Sequence, residues 1–207
     1  MSTRVTISRG ALMEIRRRIE LAERGKEILE MRRDQLIGEA FKLAREVEER
    51  RRLEERLALI MRRAQLAYLL VGPREYRSYS QLVEPPKVRI VSKSLLGVIV
   101  PRIMELERPE VSRLSNPALR RLAEELWDVI DKFIRLAAKE AALELLCEEI
   151  GYLNRIVNSL ERRLIPELME EARYIKLMLE ERSIEEFIRV KKLRDRLRER
   201  SWLSRFT

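Results

Sequence analysis

The chain has no histidine, one cysteine and only 5% aromatic residues among its 207. Without histidine it lacks the commonest metal ligand and the side chain best suited to proton transfer near neutral pH. Cys147 is alone, so a disulfide framework is excluded. It falls on an apolar stripe position, which predicts a buried, inert thiol. No uncharged run approaches the roughly 18 residues a membrane helix needs, since stretches such as Leu95 to Val100 last only about six. Residues 1–10 carry Arg4 and Arg9 but no apolar centre, so they do not read as a signal peptide. The expectation is a cytoplasmic protein that meets a membrane only through its partners.

Charge is abundant: 38% of residues are Asp, Glu, Lys or Arg, and the formal net charge is +9. With so few large aromatics the chain cannot fill a thick globular core. Its composition is that of long helices and coiled coils. The cationic excess seeks acidic partners, whether phosphate, lipid head groups or carboxylate-lined protein.

Two stripes of apolar residues at coiled-coil spacing each extend for about sixty residues. The first passes through Leu12, Ile15, Ile19, Ala22, Leu29, Leu36, Ala40, Leu43, Val47, Leu57, Met61, Ala64, Tyr68 and Val71. It is interrupted by Lys26, Arg33, Arg50 and Glu54. The second passes through Leu119, Leu122, Leu126, Val129, Phe133, Leu136, Leu143, Cys147, Ile150, Val157, Leu164, Leu168, Ile175 and Met178. Glu140, Asn154, Glu161 and Glu171 interrupt it. The first helix is expected from Ser8, as N-cap, to about Leu70, where Gly72-Pro73 ends it. The second begins at Ser115 or Asn116, with Pro117 in the first helical position, and continues to about Arg200. Pro166 predicts a kink in it without a break. Beyond Met178 the stripe slips by one residue through Leu179, Val190, Leu193 and Leu197.

Between the helices lie Gly72-Pro73, Pro85-Pro86, Gly97, Pro101 and Pro109. Residues 87–92 and 97–100 alternate and are rich in β-branched side chains, which predicts two short strands in a hairpin, linked through Lys93 to Leu96. The expected division is therefore 8–71, an N-terminal long helix; 72–117, a small connector head with a β-hairpin; 118–200, a C-terminal long helix; and 201–207, a tail. The fold class is all-α dominated, a long antiparallel two-helix coiled coil carrying that head. The seam interruptions are mostly cationic in the first helix and mostly anionic in the second. Folding back brings Arg50 level with Glu140 and Lys26 close to Glu161, so each charge finds an opposite partner.

No Gly-x-x-x-x-Gly-Lys-Ser/Thr loop is present. Adjacent carboxylates such as Glu54-Glu55 and Glu148-Glu149 do not face each other on a helix. Arginine runs at residues 16–18, 50–52 and 191–200 could contact nucleic acid, but glutamates and a shortage of aromatics argue against it. Composition and pattern alone leave a basic coiled-coil adaptor binding acidic partners or nucleic acid as the alternative reading.

Several short motifs in fixed order resemble the D subunit of the archaeal and vacuolar-type rotary ATPases. Ser8-Arg9, Leu12, Ala22, Gly25, Leu29 and Arg33-Asp34-Gln35-Leu36 look like the family's opening helix. Leu95-Leu96-Gly97-Val98-Ile99-Val100-Pro101 is similar to its connector segment. Asn158-Ser159-Leu160-Glu161, Ile165-Pro166, Tyr174-Ile175 and Leu179-Glu180-Glu181 resemble its C-terminal helix. Ile7, Lys26 and the pair Leu95-Leu96 depart from the pattern at positions of local contact.

The resemblance implies a non-catalytic central rotor without a cofactor. Its partners would be the A and B subunits of the catalytic ring, the F subunit and the connector subunit of the membrane ring. No direct binding of nucleotide or nucleic acid and no membrane insertion is expected. The second helix outlasts the first, so Arg189, Lys191, Lys192, Arg194, Arg196, Arg198 and Arg200 are expected at a cationic tip facing acidic loops of the ring. Gly97, Val98 and Val100 are expected to serve partner contact or helix bracing. Pro166, Arg50 and Glu140 are expected in structural roles, and Trp202 and Phe206, four apart, are candidates for anchoring the tip.

Overall fold

A computed structural model describes residues 7–203, with side chains described as far as Arg196. The elements in chain order are α1 (Arg9–Val47), α2 (Arg50–Val71), α3 (Pro73–Gln81), β1 (Lys87–Leu95), β2 (Val98–Glu107) and α4 (Pro117–Ser159). A π turn (Leu160–Leu164) then leads into α5 (Ile165–Leu203). This is the expected fold class, antiparallel long helices with a two-stranded hairpin. The chain divides into two compact units, one of residues 1–31 with 153–207 and the other of residues 32–152.

In the first unit the start of α1 pairs antiparallel with the π turn and α5. Ser8 caps α1, its hydroxyl accepting the Ala11 amide at 3.1 Å. Ile15, Leu153, Val157, Ile165 and Ile175 are buried between the helices. Lys26 lies 3.8 Å from Glu161, and the Arg182 guanidinium donates to the Ile7 carbonyl at 3.3 Å.

The π turn is the structural answer to Pro166. A proline amide has no hydrogen, so an α-helical partner one turn back would be lost. Instead the Ile165 amide reaches the Leu160 carbonyl, a span of five residues, and the helix widens by one residue before continuing. Ile165 thereby faces inward, and Leu164, expected on the stripe, is exposed.

In the second unit α1 and α2 pack against α4 and carry the hairpin. The single long helix expected to Leu70 is interrupted at Glu48-Glu49. Residues 48–52 are all charged, so more than one turn passes with no apolar side chain to hold the stripe. The covered face then shifts in part: Leu57, Ala64 and Val71 stay on it as expected, while Ile60 is buried in place of the exposed Met61. Gly72 adopts φ +89, which ends α2 and lets Pro73 start α3, a helix the sequence pattern did not signal. Tyr68 and Tyr76 meet edge to face across this corner, 5.5 Å between ring centroids.

α4 starts as its sequence predicts. Asn116 Oδ1 accepts the Ala118 amide at 2.9 Å, and Pro117 occupies the first turn. Its buried face keeps Leu119, Val129 and Leu136 of the expected stripe and departs from it elsewhere. Trp127, Val129, Leu136, Ala142 and Leu146 are buried, whereas Cys147 is exposed. The inert buried thiol is thus corrected to an accessible one, for a physical reason: α4 meets the hairpin as well as α1 and α2, so its apolar arc turns toward Ala142 and Leu146.

The hairpin strands are longer than expected. Lys93, Ser94 and Leu95 belong to β1, and only Leu96 and Gly97 form the turn, both with positive φ, at 49° and 86°. Two left-handed residues give the turn twist that fits a two-residue hairpin. A bulge between Arg89 and Ile90 shifts the register near the open end.

Candidate partner-binding surfaces

Opposite charges set the register of the paired helices. Arg50 Nη1 donates to Glu140 at 2.8 Å, Arg32 to Glu149 at 2.9 Å and Arg63 to Glu125 at 2.8 Å, while Lys139 lies 2.8 Å from Glu46. Arg50 is shared, its Nε donating to Glu54 at 2.8 Å. The Glu54 and Glu140 carboxylates raise the Arg50 pKa above its ordinary value, so this guanidinium stays charged at any pH a protein meets. These pairs, exposed apart from the part-buried Arg32–Glu149, select alignment, and the exposed ones add little stability individually.

The hairpin lies along the second unit's helices and its two faces differ. Val100 is buried beneath it and Val98 is half-buried, so both brace the strands on the helices. Gly97 sits over Arg32, and a Cβ built there would meet the guanidinium at 3.4 Å. At the open end Arg108 approaches Asp128 at 3.8 Å. The outward face exposes Ile90, Ile99 and Met104. Sequence reasoning picked Gly97, Val98 and Val100 from their motif and missed these three; strict alternation from Val100 would have found Ile90 and Ile99, whose partners across the ladder are Ile103 and Ser94.

Of the cationic residues on α5, Arg189 pairs with Glu185 at 3.5 Å and Arg194 with Asp195 at 3.6 Å. Lys191, Lys192 and Arg196 are exposed. The side chains of Arg198, Arg200 and Trp202 lie outside the described residues, as does Phe206. Beyond Arg182, which reaches the start of α1, the helix also exposes Ile184, Phe187, Ile188, Val190 and Leu193. The charge pattern drew attention to the cations, but the apolar residues among them are as exposed.

A third surface lies at the α2–α3 corner. Leu66, Leu69 and Leu70 project into solvent, Leu70 with 87% exposure. Beside them Tyr76, Tyr79, Leu114 and Leu126 line an apolar hollow of about 110 Å³. Such clustered exposed leucine on a charged protein marks a protein contact. Among the described residues no helix is long and apolar enough to cross a membrane, and no cluster of potential metal ligands occurs.

Antiparallel helices aligned by ion pairs, a hairpin fastened on their flank and apolar faces left open define a helical component of a larger assembly. The chain belongs to the family of ATP synthase D subunits, whose sequence profile matches residues 11–195. It is 32% identical to the A-type ATP synthase D subunit of Methanoregula boonei, over 91% of this chain and 95% of that one. The corresponding D subunit of Methanosarcina mazei is 31% identical, with 93% and 96% covered. That of Thermococcus gammatolerans is 32% identical, with 94% and 95% covered.

Proposed function

We propose that this chain is a non-catalytic central-stalk rotor subunit of an A/V-type ATPase, coupling ATP hydrolysis or synthesis in a ring of A and B subunits to ion translocation. The observation that carries this reading is the family match across nearly the whole chain, residues 11–195. Its partners are the A and B subunits, the F subunit and the membrane-ring connector, and it works in the cytoplasm, peripheral to the membrane.

The geometry supports that role through asymmetry. A shaft biases three catalytic interfaces only by touching them unequally. A helix break at Glu48-Glu49 and a hairpin on one flank in the second unit, and a π turn in the first, supply no threefold repeat for the ring to match. The tip from Arg189 to Arg196 offers exposed ion pairs worth roughly 0 to 1 kcal/mol each, weak enough to break and re-form as the ring turns past. Ile184, Phe187 and Ile188 give the same tip an apolar surface that slides without fixed partners. The open leucines at the α2–α3 corner suit a standing contact with the connector.

Reconstitution tests the reading. Mixed with A, B and F subunits from its own organism, the chain is expected to co-purify in a ring complex whose ATPase activity rises when it is present. A chain that stays outside the ring but binds nucleic acid with steep salt dependence would overturn the rotor in favour of a basic adaptor.

A further inference from the structure

Under the hairpin of the second unit is an open cleft of about 570 Å³ whose wall is strongly cationic. Lys42, Lys93, Arg102, Arg135 and Lys139 line it. Only two carboxylates, Glu39 and Glu46, share the lining, and both are engaged: Glu39 with Lys42 at 2.6 Å and Glu46 with Lys139 at 2.8 Å. Asp131 neutralises Arg135 from outside at 3.1 Å. Lys93 and Arg102 remain, with no carboxylate within ion-pair distance among the described residues.

Both come from the hairpin, and its register fixes their direction. Lys93 stands opposite the buried Val100, and Arg102 follows Val100 by two residues, so all three share the face turned toward the helices. The hairpin therefore holds two uncompensated cations over a floor that includes Leu43, Val100 and Ala142. A chain seeking only stability would place neutral residues there, since like charges held together across a cleft repel.

We propose that this cleft binds an acidic, aliphatic segment of a partner protein, its carboxylates on Lys93 and Arg102 and an aliphatic side chain on the floor. The cleft has the size of sites that enclose a few side chains, and it is open to solvent, so a chain that continues beyond it is not excluded by closed walls. The apolar floor decides against inorganic phosphate, which would satisfy the cations but leave the half-buried Leu43 and Leu95 uncovered. The proposal stands on the charge and shape of the second unit and does not require the rotor reading.

The test is fluorescence anisotropy on the full chain with a fluorescein-labelled peptide repeating leucine-glutamate-glutamate. Saturable binding is expected, weakened at least tenfold by Lys93→Gln with Arg102→Gln and equally by replacing the peptide's glutamates with glutamine. Lys191→Gln with Lys192→Gln should leave it unchanged. Both variants change exposed residues, and unaltered helical circular dichroism checks their folds. Equal binding by the hairpin variant, loss in the α5 variant instead, or displacement of the peptide by phosphate at constant ionic strength would each overturn the assignment.

Discussion

Leu146 and Cys147 are neighbours on α4, and replacing each by alanine asks which face of the helix is inside. Leu146 is wholly inaccessible, whereas Cys147 is exposed. Leu146→Ala removes three buried carbons, about 2.4 kcal/mol at about 0.8 each. The cavity left behind raises the loss to about 3 to 4 kcal/mol, because well-packed neighbours relax only in part. At roughly 2–4 °C per kcal/mol for a chain of this size, the melting temperature should fall by about 6–16 °C. Cys147→Ala should change stability by no more than about 0.5 kcal/mol. Thermal unfolding followed at 222 nm measures both, and a thiol reagent should label Cys147 in the folded protein as fast as a free thiol of similar acidity. Equal destabilisation by the two alanines, or a thiol that reacts only after unfolding, would refute the phase of α4 described above.

Gly97→Ala should loosen the hairpin tip by about 1–2 kcal/mol, since a β-carbon is strained at φ +86 and crowds Arg32, and faster amide exchange in β1 and β2 would report it. Asn116→Ala should cost about 1 kcal/mol by uncapping α4, read as a lower denaturant midpoint with an unchanged slope. Folding stability should be nearly flat from roughly pH 6 to 8, because no histidine titrates there. On the alkaline side the Arg50 pairs obey the sign of a raised pKa: their contribution is present below the ordinary arginine value and is lost as pH rises through the still higher folded value. A midpoint that moves sharply within the neutral range would contradict this. Neutralising Arg189, Lys191, Lys192, Arg194, Arg196, Arg198 and Arg200 together should lower the coupling of hydrolysis to rotation while leaving assembly with the F subunit intact; unchanged coupling in a single-molecule rotation assay would remove the cationic tip from the mechanism.

The long helices were legible because local signals agreed with tertiary ones. Ser8 and Asn116 cap where their side chains can, Gly72-Pro73 stops α2, and opposite seam charges gave the alignment that Arg50 and Glu140 make. The stripes were misread wherever a helix meets more than one neighbour or changes phase. A two-helix template assigns Cys147, but α4 also lines the hairpin cleft through Ala142, and Leu146, four residues on, is the buried residue. The same template assigns Met61, but the charged run from Glu48 to Arg52 lets the helix slip and Ile60 takes the place. α3 stayed hidden because its nine residues, Pro73–Gln81, are mostly polar and offer only Tyr76 and Tyr79 as large side chains for an apolar face. At the surfaces, charge was visible as composition, whereas the exposed Met104 and Phe187 depend on the bulge and on which face is left uncovered, properties no local window contains.

The π turn at Leu160–Leu164 holds one residue more than an α-helical turn would. One residue corresponds to about 100° about the helix axis. Deleting a single residue there would restore α-helical spacing and swing every side chain that follows by that angle, with no change in composition beyond it. The direction in which α5 presents its arginines is thus clocked by one inserted residue, the same residue that keeps Ile175 buried, so the phase of the exposed face and the phase of the core are set together.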